Sequence, residues 1–286
     1  MSVTASGDEA CLDAHVHVWD LRRRPFDWIT EPVLRRSFSL DDYFRAAPDA
    51  TAVILVQALQ DPAETADLLA LADGHRTVVH GVIGSLGHED AAADRLAELA
   101  TGRGADLLLG VRVSAASLTR PLLALAESAG LAVDVLADPT DLPGIVAAAR
   151  QHPGTVVVLD HLAGLVVGGT EWRTVLRTLA AVDVPNLAYK FSGLATRGCG
   201  GRTPDRGLLA EATATLLAAV GPERMLFGSD WPIALLGTGD DPFSLARTAL
   251  ADAGADAAEV RQVMDATARS VYRSAGDRAA LRRSAA

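Results

Sequence analysis

The chemistry of this chain starts from two histidines one residue apart, His15-x-His17. They fall in a short apolar run, Leu12–Val18, that reads as a β-strand, where residues two apart share a face. Two imidazoles on one face can bind one metal ion together, each through a ring nitrogen. The same pair could equally be two satisfied structural histidines. His161 ends another apolar run, in LDHLAG, and Asp230 leaves a third, in LFGSDWP. Singly, His161 reads as a packing or capping residue and Asp230 as an ordinary turn or helix cap. Together, three histidines and an aspartate at the ends of buried strands are hard to explain by packing.

Strand parity extends the set. By that rule Asp13, His15 and His17 share a face. So do Val53, Leu55 and Gln57; Gly110 and Arg112; Ala132 and Asp134; Val157, Leu159 and His161; Ala188, Lys190 and Ser192; and Leu226, Gly228 and Asp230. Polar groups gathered at one end of a sheet are costly to bury unless they serve one another or a ligand. Gln57, Arg112 and Lys190 are therefore candidates, although each could instead be a snorkelling or buried pairing side chain. His80 falls early in its strand and reads as packing. His75, His88 and His152 read as surface or helix-end residues. Cys199 lies in a Gly-rich stretch without an evident basic partner and does not read as a thiolate nucleophile. Neither GxSxG nor HExxH occurs, so a hydrolase elbow and a zincin helix have no local support.

These residues need a scaffold. Eight short apolar runs read as strands: Leu12–Val18, Ala52–Gln57, Val78–Ile83, Leu107–Val113, Leu131–Leu136, Thr155–Leu159, Leu187–Phe191 and Arg224–Gly228. Runs such as VVVL and AVILV are apolar on both faces, as in a parallel sheet covered by helices. Between and after them lie amphipathic Ala/Leu-rich segments at Pro62–Asp73, Asp90–Ala100, Thr119–Gly130, Leu142–His152, Glu171–Val182, Asp205–Val220, Asp241–Asp252 and Asp256–Tyr272. Asp61-Pro62 and Asp141 ahead of Pro143 are starting caps, and Gly74 and Gly130 stand where helices stop. No Gly-rich phosphate turn follows the first strand, which argues against a doubly wound sheet. Eight strands with alternating helices point to an α/β fold of (β/α)8 barrel type. Asp20–Asp42 and Thr196–Arg206 are polar and irregular, and read as loops on the face where barrel enzymes keep their chemistry.

The 286 residues suit one such domain, over 11–275, with 1–10 and 276–286 as frayed ends. A formal net charge of −10 argues against nucleic acid or an anionic membrane as partner. No run reaches the roughly 18 uninterrupted apolar residues of a membrane helix, and the N-terminus lacks a signal-peptide pattern. Two cysteines make neither a disulfide framework nor a zinc ribbon. A cytoplasmic protein acting on a small molecule is expected, and a homo-oligomer is compatible with all of this.

Four segments then carry a family resemblance: Leu12–Asp20 (LDAHVHVWD), Val156–Gly164 (VVVLDHLAG), Tyr189–Leu194 (YKFSGL) and Arg224–Pro232 (RMLFGSDWP). In this order they resemble the amidohydrolase superfamily, and within it the amidohydrolase-2 branch of sugar-lactone and pyrone-dicarboxylate lactonases. The resemblance runs from about Leu12 to Tyr272. It implies a distorted TIM barrel with its site at the C-terminal ends of the strands. By the match, His15 and His17 correspond to the first-strand pair, His161 to the sixth-strand histidine and Asp230 to the last-strand acid. Gln57, Arg112 and Lys190 fall at positions resembling substrate-contacting ones. Many superfamily members hold two metals through a lysine on the fourth strand and a histidine on the fifth. Here those strands offer Arg112 and Asp134, so a two-metal site is not expected. One divalent ion, zinc or manganese, held by His15 and His17 with His161 and Asp230, and a metal-free site are both open.

The resemblance implies hydrolysis of a small lactone. Asp230 is the expected general base, and His161 acts with it. Arg112 and Lys190 would suit a carboxylate or several hydroxyls on an anionic or polyhydroxy substrate. Trp231 and Trp19 would wall the pocket. The alternatives are a metal-dependent non-oxidative decarboxylase of an aromatic or unsaturated acid, and a non-catalytic ligand-binding barrel.

Overall fold

A computed structural model describes residues 10–196, 200, 205–237 and 239–273. Among them, eight strands follow one another in chain order and pair in parallel: β1 (Leu12–Val16), β2 (Ala52–Val56), β3 (Val79–Gly84), β4 (Leu108–Ser114), β5 (Ala132–Leu136), β6 (Val157–Leu159), β7 (Leu187–Ser192) and β8 (Met225–Gly228). The β8–β1 seam is bridged just past β8, where His17 N donates to Trp231 O at 2.8 Å and Asp230 N donates to His15 O at 3.0 Å. The result is a nearly closed (β/α)8 barrel with helices between the strands. Each expected strand is present, shifted by one or two residues at its ends. The expected frayed ends, apart from Ala10, and Cys199 with most of its loop lie outside the described residues.

The helices begin close to where the sequence places them, although Asp141 does not cap the helix Leu142–Gln151 and instead accepts from Asp138 N at 2.9 Å. Asp61 accepts from Ala63 N ahead of Pro62–Gly74, and Thr119 accepts from Leu122 N ahead of Arg120–Ala129. Two expectations are corrected. The stretch Asp20–Asp42 is not wholly irregular: it holds a 3-10 turn at Pro32–Leu34 and runs into a helix at Leu40–Ala46. That helix is started by a reciprocal cap between Ser39 and Asp42. The expected single helix Asp256–Tyr272 is broken into Ala257–Arg261 and Thr267–Val271 by a π-turn at Gln262–Ala266. The wide turn shifts the helical phase. Val263 and Met264 then face the outer core, while Ala268 and Tyr272 enter the barrel's lower interior.

The core has two layers. Between sheet and helices lie residues such as Val53, Leu55, Val133, Val157, Leu187 and Phe227. Inside the barrel lie Leu12, Ala14, Ile54, Val56, Ile83, Leu109, Ala132, Val158, Ala188 and Leu226. Strict alternation cannot place both Ala14 and the site histidines inside. β1 solves this with a bulge: Asp13 pairs with Val53 but Val16 with Leu55, so β1 carries one extra residue. Gly228 matters at the same seam, because a Cβ there would lie 2.6 Å from His15 Cβ.

Two buried carboxyls brace the elements that carry the site. Asp13 is fully buried and accepts from Tyr43 Oη at 2.8 Å, Ser229 N at 2.9 Å and His15 N at 3.1 Å, tying β1 to β8 and to the helix Leu40–Ala46. Glu64 accepts from Ala58 N and Leu59 N, holding the turn that follows Gln57. Burial pushes the Glu64 carboxyl up to about 7, although those two N–H donors and Arg24 pull the other way.

Tyr43→Phe leaves a buried carboxylate oxygen without its donor and should cost about 1–3 kcal/mol. Thermal unfolding will register this as a lowered midpoint; an unchanged midpoint contradicts the brace. Glu64 sets a pH dependence. The folded chain keeps a proton that the unfolded chain releases near 4.5, so this contribution to stability is full below 4.5 and is lost as pH rises towards about 7. The slope is at most ~1.4 kcal/mol per pH unit. Denaturant midpoints of wild type and Glu64→Gln, compared at acid and neutral pH, should therefore diverge with pH. A constant offset between them contradicts the assignment.

Candidate active site

The upper lumen is built by β1, β4, β5, β7 and the turns leaving β6 and β8. Past the β1 bulge, His15 and His17 turn inward, whereas Val16 and Val18 pack outward. Asp13 does not share their face, as parity had suggested: it points out to Tyr43, because the bulge breaks the alternation. Parity also misplaces β2 and β6. Val53, Leu55, Val157 and Leu159 lie in the outer layer, and Ile54, Val56 and Val158 in the lumen. His161 nonetheless reaches the site, because its backbone leaves strand geometry.

His161, Leu162, Ala163 and Gly164 all have positive φ, at 50°, 53°, 53° and 71°, forming a left-handed turn. Asp230 has φ 59°. Such values cost L-residues roughly 1–2 kcal/mol each, and they aim the two side chains at one point. Gly193, itself at φ 67°, makes room for the ring: a Cβ there would sit 3.2 Å from His161 Nδ1.

At that point the side chains converge. His15 Nε2 and His17 Nε2 are 3.1 Å apart. Asp230 Oδ1 is 3.7 Å from each of them and 3.9 Å from His161 Nε2. His17 Nδ1 donates to Val56 O at 2.8 Å; a carbonyl only accepts, so the neutral ring presents a lone pair at Nε2. His161 Nδ1 meets Ser192 Oγ at 2.8 Å. Burial, with Arg112 nearby, pulls His17 down to about 3, and burial with Lys190 nearby pulls His15 well below its usual value. Both rings are neutral at physiological pH, the state that ligates metals.

The donor set fits a divalent cation. His15, His17 and Asp230 offer ligand atoms all within 4.8 Å of one another, and so do His15, Asp160 and His161. Two neutral imidazoles and a carboxylate at this spacing, shielded from water, are complementary to a positive ion.

Beneath the histidines lies a column of charge. Asp160 is fully buried and accepts from Arg112 Nε at 2.7 Å, and its Oδ1 is 3.1 Å from Lys190 Nζ. Lys190 also pairs with Asp134, which accepts from Tyr272 Oη at 2.7 Å. Burial opposes the charge on Asp160, but Lys190 and Arg112 outweigh it and hold the carboxyl well below the usual range. Burial likewise works against Lys190, and Asp134 and Asp160 keep it charged. Burial pushes Asp134 up to about 6 against the pull of Lys190.

The expected residues are thus only partly gathered. His15, His17, His161 and Asp230 meet. Arg112 stands beside them through Asp160. Gln57 lies just past β2, 3 % exposed, with its Oε1 unpartnered and its carbonyl 3.5 Å from Arg112 Nη1. Lys190 is fully enclosed between two carboxylates, below the site rather than at its mouth. Trp231 is 6 % exposed and packs edge-on against Phe38 and Tyr43. Trp19 donates from Nε1 to Arg36 O at 2.7 Å and lines a separate cavity of about 540 Å³, between the segment after β1 and the helix Pro62–Gly74. His80 bonds to Tyr272 O at the barrel's lower end, and His152 is a buried helix cap paired with Glu127. Asp160 was missed. Its signal was available, since it is in phase with the lumen residue Val158, but parity was counted from the wrong face of β6.

Comparison with known proteins agrees with this architecture. The profile of the amidohydrolase family (Amidohydrolase) matches residues 12–274. An L-fucono-1,5-lactonase from Burkholderia multivorans is 31% identical, over 91% of this chain and 95% of its own length. A crystal structure of an amidohydrolase from Burkholderia multivorans with bound zinc superposes with a TM-score of 0.78 at 28% identity, covering 92% of this chain and 99% of that one. A putative 2-pyrone-4,6-dicarboxylic acid hydrolase from Pseudomonas putida shares the fold, with a TM-score of 0.70 at 22% identity over 92% of this chain and 97% of its own. No helix among the described residues is long and apolar enough to cross a membrane. With the family profile spanning all eight strands and the converging residues at their C-terminal ends, this chain belongs to the amidohydrolase family.

Proposed function

We propose that the protein hydrolyses a small lactone at the upper lumen. The observation that carries this is the convergence of His15, His17 and His161 Nε2 on the Asp230 carboxylate. It is supported by the lactonase relative, which is similar over nearly the whole chain.

His15 and His17, with Asp230 beside them, would hold a divalent ion such as zinc or manganese, His161 standing alongside. That ion supplies Lewis acidity and a lowered pKa for water. The chain's own residues do the rest. Asp230 takes a proton from the attacking water as oxygen bonds to the lactone carbonyl carbon. With Ser192 donating its hydroxyl hydrogen to His161 Nδ1, His161 Nε2 donates to the carbonyl oxygen and stabilises the negative charge that develops there. The ring C–O bond then breaks, Asp230 returns its proton to the leaving oxygen, and an open-chain hydroxy acid results.

The charge column bears on the substrate. Arg112 and Lys190 are neutralised by Asp160 and Asp134, so among the described residues neither is spare for a substrate carboxylate. An uncharged polyhydroxy lactone fits better than a dicarboxylate, with Gln57 Oε1 and the remaining Arg112 N–H groups to meet its hydroxyls. Trp231 backs the wall through Phe38 rather than standing free. The cytoplasmic setting expected from the sequence belongs to the same proposal.

A pH-indicator assay over a lactone panel tests this, with purified protein before and after chelation. Polyhydroxy sugar lactones should open faster than dicarboxylate lactones, and chelation should slow them. Asp230→Asn should lower kcat about 10²- to 10⁴-fold with the fold retained by circular dichroism. A variant keeping most of its activity removes Asp230 as base. Release of carbon dioxide from aromatic acids without lactone opening replaces lactonase by decarboxylase, and no turnover on either panel leaves a binding barrel.

A further inference from the structure

Asp160 stands against the site with a specific geometry. His15 Nδ1 and Asp160 Oδ1 are buried atoms without an aligned hydrogen bond, and they face each other at 3.5 Å. The ring of His15 has two ways to carry its single hydrogen. With hydrogen on Nε2 it would donate to the His17 lone pair at 3.1 Å and turn its Nδ1 lone pair on an anion. With hydrogen on Nδ1 it faces that anion, and Nε2 joins His17 Nε2 and Asp230 as a third electron-pair donor. Asp160 is anchored by Arg112 Nε at 2.7 Å and Lys190 Nζ at 3.1 Å, so it stays ionised and cannot swing into the site. Lys190 is held in turn by Asp134, and Asp134 by Tyr272 at the end of the helix Thr267–Val271.

We infer that Asp160 is a positioning residue: clamped by Arg112 and Lys190, it fixes His15 as the Nδ1–H tautomer and so delivers Nε2 to the cation site. Carboxylate partners commonly orient metal-binding histidines in this way. The inference gives the buried column a purpose that packing does not. Arg112 and Lys190 act through Asp160, and Tyr272 steadies the lower end from outside the sheet. It rests on the reading of the site as a cation site, and not on the identity of the lactone.

The test is nitrogen-15 NMR of imidazole-labelled, chelator-treated full-length protein at neutral pH, with His15 assigned by the signals lost in His15→Gln. The expected pattern is a protonated Nδ1 and an unprotonated Nε2; the reverse pattern overturns the inference. In Asp160→Asn, whose fold is checked by circular dichroism, zinc affinity by chelator competition should fall about 10- to 100-fold. His15 should also lose its fixed tautomer. Unchanged affinity with an unchanged tautomer overturns the inference as well. If that variant does not fold, the wild-type tautomer decides alone. Lactone turnover of the same wild-type sample separates the two readings: the expected tautomer without turnover removes the lactonase and leaves the role of Asp160 standing.

Discussion

The structure is organised around one electrostatic constraint: neutral imidazoles and carboxylates held within 4 Å of each other where water has little access. His15, His17 and Asp230 are each less than 5 % exposed. Electron-pair donors at such spacing repel unless a hydrogen or a cation stands between them, and burial removes the solvent that would relieve them. The chain offsets this in two directions. Above, the donors converge on a volume suited to a cation. Below, Arg112 and Lys190 supply positive charge that the carboxylates Asp160 and Asp134 return, down to the Tyr272 hydroxyl. Taking one partner from such a network leaves an uncompensated buried charge, which is why its members depend on one another.

The same constraint explains where the backbone is irregular. A regular strand aims alternate side chains inward, too sparsely for four donors to meet at one point. The bulge in β1 brings His15 inward immediately after Ala14. The left-handed turn at His161–Gly164 and the positive φ of Asp230 bend two further side chains inward. Gly228 and Gly193 clear the space these bends require. Among the described residues, the left-handed non-glycine backbone is concentrated on the face of the candidate site, and the braces at Asp13 and Glu64 hold the flanking elements against it.

Much of this was legible in the sequence. The doubly apolar strands, the capping aspartates and the alternation of elements were enough for the barrel, since each reports a local physical preference. The four converging residues were legible as residue types at strand ends. Parity failed where the chain departs from regularity. It put Asp13 with the histidines, because a bulge leaves no mark in a short apolar strand. It passed over Asp160 in favour of His161, because a left-handed turn in LDHLAG lacks glycine until its last residue. The occupation of Lys190 by Asp134 and Asp160 was invisible for another reason. Those partners lie 56 and 30 residues away, and only the parallel pairing of β5, β6 and β7 brings them together.

The most direct measurement is anomalous X-ray scattering at the zinc edge from crystals of the full-length protein grown with zinc. The account requires one strong peak bounded by His15 Nε2, His17 Nε2 and Asp230, with His161 alongside, and Asp160 still paired to Arg112 and Lys190. A peak elsewhere, or a zinc ion that draws Asp160 out of its ion pairs to become a ligand, contradicts it.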